Sequence, residues 1–171
     1  MLTRPRVAAL GYVYVALGVL ALAVAGDHDR AATAVFTVAA FAYLWFLGSL
    51  RALLVRFDPE GFFASVVVLG GASFIALQAA GLAAHDVRLA APGAGCAAAV
   101  VVASSLAALR ARKVSRGFGR LGIAGGVAVL AVGFAEAAAD WTLWHSTLWA
   151  SSLGFMIWVV VTATYLLRRE L

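Results

Sequence analysis

The sequence predicts an all-α protein: a polytopic transmembrane helical bundle of six spans, forming one domain over residues 1–171, with both termini in the cytoplasm. Composition is the first observation behind this prediction, because the chain is 64% hydrophobic and 12% charged with a mean hydropathy of +0.99. Soluble domains have roughly 25% charged residues. The other two observations are the lengths of the apolar segments and the placement of basic residues in alternate loops.

The six spans follow from segment length. Crossing about 30 Å of hydrocarbon at about 1.5 Å per residue takes about 20 helical residues. A backbone without access to water must satisfy its own polar groups by forming a helix. Segments of this length, separated by short polar connections, are residues 7–26, 31–50, 61–84, 89–109, 121–139 and 147–167.

The first span has an alternative interpretation. A secretory signal peptide would show the same pattern: basic residues (Arg4 and Arg6), an apolar run, and small residues before a cleavage site (Ala23-Val24-Ala25 before Gly26). Removal of such a peptide would leave five spans. The run is longer than the roughly 7–15-residue core of such peptides. We therefore predict that it is retained as a span.

The orientation follows from the positive charges. Of the 13 basic residues, only Arg30 and Arg88 fall on one side of the six segments. The positive-inside rule places the other side in the cytoplasm, together with both termini. The residues on that side are Arg4, Arg6, Arg51, Arg56, Arg110, Arg112, Lys113, Arg116, Arg120, Arg168 and Arg169.

The third span has a predicted N-terminal cap. Asp58 is a favourable capping residue, and Pro59 suits the first position of a helix. Glu60 would then lie near the positive end of the helix dipole. These three residues predict that the helix begins at Pro59.

The fifth span carries residues at intervals of three and four, which place them on one helix face. Gly122 and Gly126 have the GxxxG spacing that lets helix backbones approach. This face therefore predicts that Glu136 points into the bundle. Its members are Gly122, Gly126, Val129, Gly133, Glu136 and Asp140.

Polar residues of the third span lie near the same outer end of the membrane. Gln78, Gly81 and His85 share a helix face, so the polar groups of the third and fifth spans could meet. An ionisable group at membrane depth is costly and is usually functional. Glu136, Gln78, His85 and Asp140 are thus the candidate ligand or ion site. The alternative is that Glu136 simply reaches headgroups or water.

A metal site is a further hypothesis for the outer end. His28, His85 and His145 lie at outer ends of spans, close in sequence to aspartates such as Asp86. Imidazole and carboxylate together are suitable ligands for Zn²⁺. The spacings match no recognised metal motif, and solvated loop residues are the simpler interpretation.

The loop between the fourth and fifth spans is strongly basic. Its charges would attract anionic lipid headgroups at about 1 kcal/mol each, although they also serve as topology determinants. The residues are Arg110, Arg112, Lys113, Arg116 and Arg120.

Several functions lack the residues they need. Cys96 is the only cysteine, so no intrachain disulfide, CxxC pair or thiolate zinc site is available. Lys113, the only lysine, lies in a loop, which excludes a retinal-binding protein. The basic residues lie in short loops between apolar runs rather than along an amphipathic face, which argues against nucleic-acid binding. Catalytic motifs are absent, so catalysis is unsupported and no cofactor is expected.

The second and third spans resemble the fourth and fifth. Such an internal duplication would place two hairpins in a pseudo-symmetric core, with a site at the interface between the repeats. The matching pairs are Ser49-Leu50 with Ser105-Leu106, Gly61-Phe62 with Gly117-Phe118, Gly70-Gly71 with Gly125-Gly126, and Asp86 with Asp140.

Several stretches together resemble uncharacterised multi-spanning membrane proteins of actinobacteria, from a domain-of-unknown-function family. The stretches are residues 46–51, 70–71, 107–110, 117–122 and 158–169. The resemblance implies a six-span fold in the bacterial inner membrane and carries over no catalytic residues.

Three functions remain open at this point. The leading hypothesis is that polar groups in the outer half of the bundle bind a small ligand or ion. The second is a non-catalytic subunit or assembly partner that docks other membrane proteins, or copies of itself, through small-residue faces. The third is an outward-facing metal-dependent membrane enzyme. In each case the lipid bilayer is the main partner.

Overall fold

The computed structural model describes residues 4–24, 29–56, 58, 60–84, 92–112, 115–138 and 144–168. The description covers the backbone alone at residues 4, 29, 82, 136–138, 144–151 and 168. Every regular element in these ranges is an α-helix, as the sequence predicts. The helices are α1 (Arg4–Val24), α2 (Asp29–Leu54), α3 (Phe62–Ala84), α4 (Pro92–Arg110), α5 (Arg116–Ala138) and α6 (Trp144–Arg168).

Helices α1 to α5 contain apolar stretches that are long enough to cross a membrane. In α6, the apolar stretch that falls within the fully described residues is shorter and covers Ser152–Leu167. The described chain therefore contains five helices that meet the length and composition requirements of a membrane span.

Helices extend beyond the predicted spans at ends that carry arginine, and the extension is longest in α2 and α5. Helix α2 continues through Arg51 to Leu54, and α5 begins at Arg116 instead of residue 121. Hydropathy marks only the part of a helix that lies in hydrocarbon, whereas exposed arginine is a good helix former. Helix α5 also has a cap at its early start, because the backbone N–H of Phe118 donates to Ser115 Oγ at 3.2 Å.

The structure corrects part of the predicted N-terminal cap of α3. Asp58 does cap this helix, since its Oδ2 accepts a hydrogen bond from the backbone N–H of Phe63 at 2.6 Å. However, the helix begins at Phe62, and Glu60 lies in the preceding turn. The intervening Gly61 has φ of +72°, a left-handed conformation that interrupts the helix and that glycine adopts without strain. Pro59 lies outside the described residues.

The six helices form a closed ring in which each packs against the next and α6 packs against α1. Neighbours are antiparallel: Leu109 near the end of α4 contacts Gly119 near the start of α5, and Ala94 contacts Gly133. The start of α1 and the end of α6 consequently lie at the same end of the bundle. We call this the basic end; it also contains the ends of α2 and α4 and the starts of α3 and α5. The opposite end is the far end.

Aromatic rings fill the middle of the bundle. Phe155 of α6 is fully buried, and its ring centroid lies 4.6 Å from that of Phe74 and 5.7 Å from that of Tyr43. Trp158 stacks on Phe155 at 5.5 Å, and Tyr14 packs on Tyr43 at 4.7 Å. Side chains from α1, α2, α3 and α6 thus meet in one cluster, and van der Waals packing of such rings is a main source of stability inside a membrane.

The predicted glycine face of α5 packs closely against α4. A methyl group added at Gly126 would lie 2.6 Å from Val102 Cγ2 and 3.2 Å from the carbonyl oxygen of Ala98. One added at Gly122 or Gly133 would overlap a side chain of α4. The expectation that this face brings two helix backbones together is confirmed, and the physical reason is the absence of a Cβ at each contact.

The two hairpins of the predicted repeat share one packing detail. Gly71 of α3 contacts Leu47 of α2, and Gly126 of α5 contacts Val102 of α4. In each hairpin the glycine follows its contact residue by 24 positions. The hairpins differ in their surroundings, because the glycine before Gly71 packs on α4 whereas the glycine before Gly126 has no neighbour within 4 Å.

Candidate functional site

The first turn of α4 lies between the two spans that carry the predicted polar site. Gly93 faces α3, where Phe74 and Gln78 approach it, and Ala94 meets Gly133 of α5. Consecutive helical residues point about 100° apart, so α3 and α5 occupy different sides of α4. Small residues at both positions allow both neighbours to pack close to the start of this helix.

Gln78 is half-buried on α3. Its Nε2 atom lies 3.5 Å from the position that a Cβ of Gly93 would take. The amide therefore faces the α4 backbone at its amino-terminal turn, where the first N–H groups of a helix lack intrahelical partners.

The backbone of Glu136 lies in α5, about one turn beyond Gly133. Because Gly133 packs on Ala94, only two residues after α4 begins, Glu136 is at the level where α4 starts. The side chain of Glu136 is outside the described part of the chain, so its predicted inward direction stays a prediction. The depth itself favours a position at the end of the bundle over one near its middle.

The expected meeting of the polar groups of the third and fifth spans stays a prediction, and the helix packing does not favour it. Helices α3 and α5 each pack against α4, and within the described residues they do not form a helix pair with each other. Gln78 and Glu136 are therefore at similar depth but are separated by α4. Sequence periodicity places residues on a face, whereas only the packing order of helices decides which faces oppose one another.

The remaining candidates at the far end lie outside the described residues or are described only by their backbone. His28, His85, Asp86 and Asp140 belong to the first group, and His145 belongs to the second. Among the His, Cys, Asp and Glu residues that are fully described, no group of three could hold a metal ion. The metal hypothesis therefore rests on residues beyond this description.

The predicted basic cluster lies at the basic end. Arg110 ends α4, Arg112 follows in the turn, and Arg116 and Arg120 lie in the first turns of α5; all four are exposed. Lys113 lies outside the described residues. The antiparallel packing of α4 and α5 brings these arginines to one end of the hairpin.

A buried tyrosine pair was missed by the sequence analysis. Tyr14 and Tyr43 are 1% and 0% exposed, and the Tyr43 hydroxyl has no hydrogen-bond partner among the described residues. The sequence contains an indication of this pair, because both tyrosines lie near the middle of a predicted span, where a buried hydroxyl requires a hydrogen-bond partner.

The described interior contains no buried charged side chain. Its buried polar residues, besides the tyrosines, are Ser104, Ser105 and Ser152. The hydroxyl of Ser104 donates to the carbonyl oxygen of Val100 at 2.7 Å, so it is satisfied within its own helix. Within the described ranges, charged side chains are therefore concentrated at the two ends of the bundle.

Comparison with known proteins adds no family: no protein-family model, curated protein or solved structure matches this chain.

Proposed function

We propose that the chain is a six-span integral membrane protein of the bacterial inner membrane, with both termini in the cytoplasm. The closed antiparallel ring supports this topology, since an even number of crossings returns the chain to its starting side. The charge distribution supports the orientation, because Arg51, Arg56, Arg110, Arg116 and Arg120 are all exposed at the basic end. The resemblance to the actinobacterial family supports the location.

Retention of α1 as a span is part of this proposal. Val7, Tyr14 and Ala21 are buried, and α1 packs against both α2 and α6. Removal of α1 as a signal peptide would open the ring and expose the aromatic cluster.

Labelling with a membrane-impermeant maleimide tests the topology. In a Cys96→Ala background, Glu60→Cys places a thiol at the basic end and Ala83→Cys places one at the far end; both positions are exposed. Intact cells should label Ala83→Cys, whereas Glu60→Cys should react only after permeabilisation. The reverse pattern contradicts the orientation, and labelling of both positions in intact cells contradicts the span count.

We further propose that the far end binds a small ligand or ion, with Gln78 and Glu136 on the two sides of the α4 amino terminus. The approach of the Gln78 amide to Gly93 carries this proposal, because it places a polar side chain near a helix start that is packed by small residues. A charged or polar group at the end of a span is a common element of substrate and ion sites.

Substitution of Glu136 tests the proposed site. Glu136→Gln preserves the shape and removes the charge, and Ala135→Gln places the same amide on the exposed neighbouring residue as a control. In a strain that lacks the protein, growth should be compared across pH and across Na⁺ and K⁺ concentrations. Glu136→Gln should fail to complement while remaining in the membrane, and Ala135→Gln should complement. Full complementation by Glu136→Gln would remove the proposal.

A non-catalytic subunit or assembly partner is the alternative, and the position of α5 favours it. In this helix 22% of the membrane-length stretch is buried, compared with 33% to 50% in α1 to α4. Its outward face includes Leu121, Ala124 and Ala128, all exposed. Purification in mild detergent distinguishes the two functions, because a monomer without any co-purifying protein contradicts the assembly role.

A further inference from the structure

Arg110 lies over an aromatic ring at the basic end. Its guanidinium carbon lies 4.7 Å from the centroid of the Phe63 ring, and Phe63 itself is buried. Stacking on an aromatic face restrains the plane of a guanidinium while leaving the N–H donors at its edge available. Within the described residues, no carboxylate forms an ion pair with Arg110.

The surroundings of Arg110 are strongly positive. Leu109 packs on Gly119, so the end of α4 and the start of α5 are adjacent, and Arg116 and Arg120 are exposed at the same end of the bundle as Arg110. Asp58, which precedes α3 at this end, accepts a hydrogen bond from the backbone N–H of Phe63. The carboxylates of Asp58 and Glu60 are outnumbered by the exposed arginines, which include Arg110, Arg112, Arg116 and Arg120.

Exposed apolar groups lie at the same end of the bundle as these charges. Phe62 is 63% exposed and Phe118 is 42% exposed, at the starts of α3 and α5. Leu121, in the next turn of α5, is 72% exposed. The membrane-length stretch of α4 ends at Arg110 and that of α5 begins at Arg116. The arginines thus lie at the level where hydrocarbon gives way to headgroups, with apolar side chains on the hydrocarbon side.

We propose that this surface binds an anionic phospholipid, whose phosphate is held by the oriented Arg110 guanidinium and attracted by Arg116 and Arg120. Two parallel N–H donors of arginine match two phosphate oxygens. The adjacent phenyl and leucine side chains would contact the glycerol and upper acyl chains. A lipid fits better than a nucleic acid or an acidic protein segment, because exposed apolar groups and cations occur together at the ends of the spans. This inference is independent of the far-end site.

Native mass spectrometry of the full chain tests the proposal, with phosphatidylglycerol and phosphatidylcholine offered in equal amounts. The wild type should retain phosphatidylglycerol preferentially. Arg110→Gln should weaken phosphatidylglycerol binding about fivefold, as expected for loss of one charge near a headgroup. Arg51→Gln, which removes an exposed arginine at the same end but on α2, is the matched control and should change binding less than about twofold. Equal retention of both lipids, or equal effects of the two substitutions, would overturn the proposal.

Two further measurements distinguish a specific lipid-binding site from general electrostatic attraction. Phe63→Leu keeps every charge but removes the ring under Arg110, so it should also weaken phosphatidylglycerol binding while leaving phosphatidylcholine binding unchanged. Inorganic phosphate alone should not displace the bound lipid, because it lacks the apolar contacts. Displacement of the lipid by phosphate at a comparable concentration would show that the surface binds a free anion. Unchanged phosphatidylglycerol binding in Phe63→Leu would contradict the role of the Phe63 ring in orienting the Arg110 guanidinium. Melting curves in phosphatidylcholine alone check that each variant is folded.

Discussion

The hydroxyl oxygens of Tyr12 and Thr164 lie 2.7 Å apart and join the first helix to the last. Thr164 donates its own proton to the carbonyl oxygen of Val160, also at 2.7 Å. Its single hydroxyl proton is thereby used, so Tyr12 must be the donor in the pair. The bond closes the helix ring near the basic end, where the packing of Gly11 against Ala163 brings the two helices together.

Loss of the bond between Tyr12 and Thr164 should cost a small, measurable amount of stability. Tyr12→Phe and Thr164→Val each remove one partner with little change in shape. Hydrogen bonds between helices in membranes contribute about 0.6 kcal/mol on average, and we expect a coupling energy of that size from the double-mutant cycle. Reversible unfolding in detergent micelles provides the measurement, and a coupling of zero would show that the two hydroxyls do not interact.

Tyr43→Phe should have the opposite effect and stabilise the protein. The Tyr43 hydroxyl is buried without a partner, and a buried unsatisfied polar group costs about 1–3 kcal/mol. Phenylalanine keeps the ring contacts with Tyr14 and Phe155. The same unfolding measurement should therefore give a gain for Tyr43→Phe and a loss for Tyr12→Phe. A loss in Tyr43→Phe would indicate that the hydroxyl is bonded to a molecule inside the bundle.

Substitution by alanine should change the stability of the protein differently at two adjacent glycines of α5. At Gly126 an added methyl group meets Val102 and the Ala98 carbonyl oxygen, whereas at Gly125 it meets nothing within 4 Å. We expect Gly126→Ala to destabilise the bundle by about 1–3 kcal/mol, because the neighbouring backbone cannot yield. Gly125→Ala should be neutral or slightly stabilising, since alanine favours a helix. Thermal unfolding of the two variants is the comparison, and equal melting temperatures would contradict close packing of α4 and α5.

Arg112→Gly should stabilise the turn after α4. Arg112 has φ of +52°, a left-handed conformation that costs a residue with a side chain about 1–2 kcal/mol. Its N–H donates to the carbonyl oxygen of Leu109 at 3.0 Å, and glycine can preserve this bond. Arg51→Gly, inside helix α2, is the control and should lose about 1 kcal/mol. A lower melting temperature in Arg112→Gly would indicate that the Arg112 side chain stabilises the protein by more than its left-handed backbone conformation destabilises it.

The candidate site was only partly accessible from the sequence. Periodicity placed Gly126 and Gly133 on one face of α5, and the structure confirms that this face packs on a neighbouring helix. It could not show that the neighbour is α4, against which the helix that carries Gln78 also packs. The stacking of Arg110 on Phe63 was equally hidden, because the two residues are distant in sequence and become adjacent only when α3 and α4 pack.

By itself, the sequence determined the all-α class and the approximate positions of the helices. Apolar composition and length specify these features locally, since a backbone in hydrocarbon must bond to itself. Only the tertiary structure decided the order of the ring, the central position of Phe155 and the unpartnered state of the Tyr43 hydroxyl. The physical reason is that these helices are apolar on every side, so hydropathy does not distinguish an inward face from a lipid face. Close contact between particular side chains and glycines makes that choice.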